Sequence, residues 1–296
     1  MTDTAGTPGS INSSSYNLRI TMDSSQTPHK PEEAPIAAEP QNAISERFRG
    51  FFPVIVDVET AGFNPATDAL IELAACTVTF NDQGQLVRDE SFHANILPFA
   101  GANMEKSNLD FLGVDPYDVN RHALTEEAFL KPLFKTLSKK AKAANCTRCI
   151  LVGQNGHFDH SFVMAAAQRV DPKKCPFHPF SVIDLATLSM VLLGQSVLRV
   201  AVETAGLEFD TARAHGAEYD AEIETDLFCW LMNRYQELGG WPLSPEMQER
   251  ARIANETKKL NFAKKEYQDH KKQDDAEKLE NSPFAILKTL VHCDNN

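Results

Sequence analysis

The sequence predicts an α/β domain, a mixed central sheet flanked by helices, with a disordered segment before it and a charged helical tail after it. Three observations predict this. Apolar, β-branched runs alternate with amphipathic helical stretches through the middle of the chain. The first 45 residues are rich in Ser, Thr, Pro, Asn and Ala and poor in large apolar groups, too little to bury against the entropy of ordering. Beyond Trp241-Pro242-Leu243, ten acids and ten bases crowd residues 244–296, a composition that favours a solvated helix. The expected divisions are 1–45, 46–243 and 244–296.

In chain order, strands are expected at 52–59, 70–80 and 86–97, with Asn81-Asp82-Gln83-Gly84 turning a hairpin between the last two. A helix follows over 125–144, because Phe129, Leu133, Phe134 and Leu137 recur at helical spacing. Then come a strand at 149–154, a helix from 159 to 170, a strand at 180–185, and helices near 186–204 and 217–238. With 296 residues and 42% apolar content the chain can bury a full core, and its length admits one or two domains. It has no run of 18 apolar residues and no signal-peptide core, so a cytoplasmic location is expected.

Four carboxylates and one histidine carry the chemistry. Asp57 and Glu59 lie two apart in the strand Phe52-Pro53-Val54-Ile55-Val56-Asp57-Val58-Glu59, so both face one way. Asp159 stands in Asn155-Gly156-His157-Phe158-Asp159-His160, and His215 precedes Asp220 by five residues. Phosphodiester attack needs a deprotonated water and relief of the charge on the attacking and leaving oxygens. Two magnesium ions meet both demands, and carboxylate oxygens suit that ion. Acids gathered without a cation would raise each other's pKa. A histidine, with a reference pKa of about 6.5, can take the proton from water near neutrality. Positions i and i+5 lie about 140° apart on a helix, which puts His215 in the loop before the helix of Asp220.

These frames resemble the DEDDh exonuclease superfamily. The matching stretches are Phe48 to Phe51, Asp57 to Phe63, Asn155 to Phe162, Pro176 to Phe180 and His215 to Asp220, and the likeness spans about residues 46–243. The resemblance implies a ribonuclease H-like exonuclease fold, in which Asp57, Glu59, Asp159 and Asp220 hold two Mg2+ and His215 is the general base. It implies 3′-5′ removal of nucleoside 5′-monophosphates from RNA 3′ ends, transfer RNA in particular and ribosomal RNA precursors as well. A proofreading or repair exonuclease acting on single-stranded DNA is the alternative with the same five residues. A noncatalytic nucleic-acid-binding module would need a ligand missing, and none is. The resemblance also implies a homodimer in which the basic patch of one subunit serves the site of the other, with Arg47 and Arg49 in that patch. It aligns Phe63, Phe111, Phe158 and Phe180 with phenylalanines that stack the terminal bases. Where related chains carry a base-contacting glutamate, this one has Ser107, which alters the expected discrimination among end nucleotides. Asp184, a further acid in the aligned region, reads as structural.

The net charge of −12 runs against a nucleic-acid partner, and residues 46–243 alone carry −9, with 26 acids and 17 bases. The bases are concentrated, however. Lys131, Lys135, Lys139 and Lys142 share one face of the helix over 125–144, with Lys140 and Arg148 nearby, and this stripe is read as a phosphate contact. Aromatic faces would supply sequence-tolerant stacking, about 1 to 3 kcal/mol per base. The six cysteines, at 76, 146, 149, 175, 229 and 293, form no disulfide framework. Cys146, Cys149, Cys175 and His178 could compose a zinc set. Against it, Cys149 opens an apolar strand and His178 lies in an aligned stretch. Cys76 and Cys229 read as core.

Overall fold

The computed structural model describes residues 43–280. The segment expected to be disordered lies outside the described residues except for 43–45, which open a short helix, α1 (Ala43–Arg47). Five strands form one sheet: β1 (Phe51–Thr60), β2 (Leu70–Phe80), β3 (Leu86–Asn95), β4 (Arg148–Gly153) and β5 (Phe177–Asp184), in the order β3-β2-β1-β4-β5. The β1–β2 and β2–β3 pairs are antiparallel, while β1–β4 and β4–β5 are parallel. The expected mixed sheet is thus present, with helices on both faces.

Alternation along β1 decides where the acids go. Phe52, Val54, Val56 and Val58 point into a core shared with α3 (Glu126–Ala143) and α4 (His157–Val170). Ile55 points to the opposite face, into a core with α5 (Leu185–Leu193), α6 (Leu198–Thr204) and α7 (Ala217–Glu237). Asp57 and Glu59 continue the Ile55 side and so face α7, the helix of Asp220. The two cores are closed by large side chains such as Phe162 and Phe228, each fully buried. Truncation of either to alanine is of the kind that costs about 3–5 kcal/mol.

α3 starts at Thr125, whose side chain accepts from the Ala128 N–H, and its last turn carries Lys140 and Lys142, favourable at the carbonyl end. The single helix expected over 186–204 is two. Gly194, at φ 68°, ends α5 with its N–H on the Met190 carbonyl, a left-handed cap that helical periodicity does not report. A further helix, α2 (Lys106–Leu112), was not expected. It buries no residue fully, and only Leu109 and Leu112 pack on Ala61, Ala69 and Ile71, too short an apolar repeat to announce it.

The turn from β4 into α4 is built on two glycines. A Cβ on Gly153 would meet the Val56 carbonyl oxygen at 2.9 Å, and one on Gly156 would meet the Gly153 backbone and Val182 at 3.0 Å. The chain therefore passes close under β1 and delivers Asp159 within the first turn of α4. The tail forms one long helix, α8 (Pro245–Glu280), and residues 244–273 are all exposed. Residues 281–296 lie outside the described part. Among the described residues no single helix is long and apolar enough to cross a membrane.

Candidate active site

Asp57, Glu59 and Asp220 converge: one carboxylate oxygen from each lies within 4.8 Å of the others, the only such metal-capable group among the described residues. Asp159 approaches from the end of the sheet and accepts from the Val58 N–H at 3.1 Å, between the two β1 acids. His215 is exposed, immediately before Gly216 and α7, and its backbone N–H donates to Asp220 Oδ2 at 3.0 Å. The loop placement expected for His215 is the one observed.

The electrostatics are those of crowded acids. Burial pushes the Asp57 carboxyl well up, with Glu224, Asp159, Glu59 and Asp220 adding repulsion. Glu59 is pushed up to about 8 by burial and by Asp220, Glu72 and Asp159. Asp159 is raised to about 7 by burial, against the two backbone N–H groups that lower it. Asp57 Oδ2 is buried and has no hydrogen-bond partner. A buried carboxyl oxygen without a donor, beside four further carboxylates, fits a hard divalent cation and little else.

This sets a pH dependence. Glu59 titrates near its ordinary value of 4.5 when unfolded and near 8 when folded, so between those values the folded state binds the extra proton. Stability is full below the lower value and is lost as pH rises through the upper one. Melting of metal-free protein should therefore drop between pH 5 and pH 8, Glu59→Gln should flatten the slope, and Mg2+ should raise the melting temperature more at pH 8 than at pH 5. A flat metal-free profile would contradict the crowding.

The aromatic candidates divide. Phe63, Phe111 and Phe158, with Ser107 and Glu59, line one cavity of about 240 Å³ beside the acids. Phe63 and Phe111 are 73% and 69% exposed, which core packing does not explain. Phe158 packs on Phe63 and on Phe162 beneath it, and Phe111 meets the His215 ring edge-on at 5.2 Å. Phe180 is not in that cavity; it is 74% exposed on β5, edge-on to His178 at 4.5 Å.

The bases divide as well. The Arg47 guanidinium packs over Tyr235 and Trp241, at 5.1 and 4.9 Å from the ring centroids, and donates to the Met232 carbonyl. Arg49 is exposed over the Phe51 ring, with its backbone at φ 58°. Lys135, Lys139 and Lys142 are exposed and have no ion-pair partner among the described residues, whereas Lys131 pairs with Glu127 and Lys140 with Asp89 and Glu90. Asp184 caps α5, accepting from the Thr187 N–H at 3.0 Å. Of the zinc candidates, Cys149 is buried against the Leu137 carbonyl, and His178 Nδ1 accepts from the Ser181 N–H at 2.9 Å. Cys76 and Cys229 are buried core residues.

One acid escaped the sequence reading. Glu224, 1% exposed, lies one turn beyond Asp220 on α7 and accepts from the Gln154 N–H at 3.1 Å. Burial, then the neighbouring Asp159, push its carboxyl well up. Its i+4 spacing from Asp220 was the available signal.

A family model described as an exonuclease, RNase_T, matches residues 54–228. Ribonuclease T of Escherichia coli K12 is 50% identical over 201 residues, covering 68% of this chain and 94% of that protein. Ribonuclease T of Yersinia enterocolitica is 52% identical over 202 residues, covering 68% and 94%. Among solved structures, E. coli exonuclease I in complex with a dT13 oligonucleotide is similar at 17% identity and a TM-score of 0.49. That match covers 64% of this chain and 43% of the other, so the chain spans less than half of that enzyme's length. The frames around Asp57, Glu59, Asp159, His215 and Asp220 all fall inside the region matched by the family model, and the chain belongs to the ribonuclease T family of exonucleases.

Proposed function

We propose that the chain is a magnesium-dependent 3′-5′ exoribonuclease of the cytoplasm that trims RNA 3′ ends, transfer RNA above all, and releases nucleoside 5′-monophosphates. The observation that carries this is the convergence of Asp57, Glu59 and Asp220 beside a cavity walled by exposed phenylalanines. Asp57, Glu59, Asp159 and Asp220 are assigned to hold two Mg2+. When bound, those ions activate a water and neutralise charge on the attacking and leaving oxygens. His215, exposed and on a loop, takes the proton from that water. Phe63, Phe111 and Phe158 stack the terminal bases, holding the last phosphodiester next to the acids, and Phe180 with Arg49 extends the path. Side-by-side digestion of 3′-tailed RNA and DNA of one sequence is the test. RNA should shorten from its 3′ end in Mg2+, with nucleoside 5′-monophosphates as product. Faster loss of DNA would overturn the sugar preference, and shortening from the 5′ end would overturn the polarity.

The reading includes a homodimer in which Lys135, Lys139 and Lys142 of one subunit bind phosphates of RNA held in the other. Their exposure and freedom from ion pairs among the described residues support it, against a chain whose net charge is −12. Mixing a triple-alanine variant of these lysines with His215→Ala should restore activity, since one site in each mixed dimer then joins an intact patch to an intact base. Absence of recovery after verified subunit exchange would refute action in trans.

A further inference from the structure

The start of α7 has no cap of its own. Gly216 precedes it and offers no side chain to the first-turn N–H groups, which at a helix start ordinarily find an acceptor. The acceptor comes instead from the sheet: Glu72 Oε2 lies 3.4 Å from the Ala217 N, across 145 residues of sequence. A carboxylate at a helix N-terminus also meets the positive end of the helix dipole.

Glu72 is itself held in place. It is the β2 partner of Glu59 in the β1–β2 register, so its backbone is fixed by the sheet. Arg121 Nη2 and His93 Nε2 each stand 3.7 Å from its carboxylate oxygens. The same Nη2 donates to the Ile71 carbonyl at 3.0 Å and to Asn95 Oδ1 at 3.1 Å, while Arg121 Nη1 donates to the Pro116 carbonyl. The anchor is therefore rigid.

What it anchors is strained. His215 has φ 66°, a left-handed conformation that a non-glycine residue keeps only where its surroundings impose it. Two bonds flank it: Asp220 takes the His215 N–H, and Glu72 takes the Ala217 N–H two residues on. We propose that Glu72 is a positioning residue for the His215 base, closing the uncapped start of α7 from the neighbouring strand and so fixing the loop on which the imidazole rides. This rests on His215 being the base, and the test separates the two.

The test compares Glu72→Ala, Glu72→Asp and Glu72→Gln in the full chain. Three quantities are read: single-turnover cleavage of a short single-stranded RNA at saturating Mg2+, Mn2+ binding by calorimetry, and melting temperature. Because a misplacement of about 1 Å can cost about 10²-fold, Glu72→Ala should lower kcat about ten- to hundredfold. Mn2+ affinity should stay within about twofold, as expected when only a transition-state contact is lost. Glu72→Gln, whose amide oxygen still accepts from Ala217, should recover most of the rate. In a His215→Ala background the Glu72→Ala penalty should vanish, because nothing is left to position. The same penalty in both backgrounds, or a parallel loss of Mn2+ binding, would overturn the proposal and place the action of Glu72 on Glu59. Should Glu72→Ala fail to fold, Glu72→Asp, which keeps the charge and shortens its reach, runs the same cycle. Undiminished turnover in His215→Ala alone would overturn the reading of His215, and this proposal with it.

Discussion

Asp57→Asn is expected to stop RNA hydrolysis, by about 10³-fold or more, while the protein stays folded. The reason is local. Asp57 Oδ2 is buried without a donor and faces the charge of Glu224, Asp159, Glu59 and Asp220. Asparagine has nearly the same shape, opens no cavity, and places an amide N–H where the neighbours are acceptors. Melting in a chelator should therefore be unchanged or raised, the opposite of a structural lesion. The same amide is a poor partner for a hard cation, so Mn2+ binding should weaken together with activity. Asp220→Asn should behave alike, since an amide oxygen can still accept from the His215 N–H. Full turnover of either variant at saturating Mg2+ would sink the carboxylate-held metal reading.

His215→Ala should slow the chemical step by about 10²- to 10⁴-fold without weakening Mn2+ binding. The side chain is exposed and belongs to no core cluster, so its removal should leave melting nearly unaltered. It does touch Phe111, edge-on at 5.2 Å, and some loss of terminal-base stacking should appear in KM. His215→Phe, which retains an aromatic edge there, separates the two contributions. The pH profile of His215→Ala should differ from that of the parent, and an unchanged profile would count against the histidine as base.

What was legible in the sequence and what was not follow from range. Asp57 and Glu59 could be read because a strand fixes their relative direction two residues apart, and His215 with Asp220 because a helix start fixes theirs over five. The mixed sheet was legible from β-branched runs, and α3 from its apolar spacing. Glu72 was silent, because its partner Ala217 is 145 residues away and its own frame, Leu70-Ile71-Glu72-Leu73, reads only as strand. Glu224 went unread because its one signal, the i+4 spacing from Asp220, fits a solvated glutamate on a charged helix equally well. α2 was missed for want of a buried stripe, though it carries Ser107 and Phe111 to the cavity wall. The break at Gly194 was missed because apolar residues continue on both sides of it.

The glycine turn beneath β1 bears on how such an enzyme can change over generations. A Cβ at Gly153 would meet the Val56 carbonyl oxygen at 2.9 Å, and one at Gly156 would crowd the Gly153 backbone and Val182, so a side chain at Gly153 shifts the turn that delivers Asp159. Phe63, Phe111 and Ser107 stand under no such constraint, since they project from a cavity wall rather than from the contact of two backbones. Mutational drift is thus channelled: the turn that carries Asp159 is held by main-chain contact, while the exposed wall of the cavity lies open to stepwise exchange.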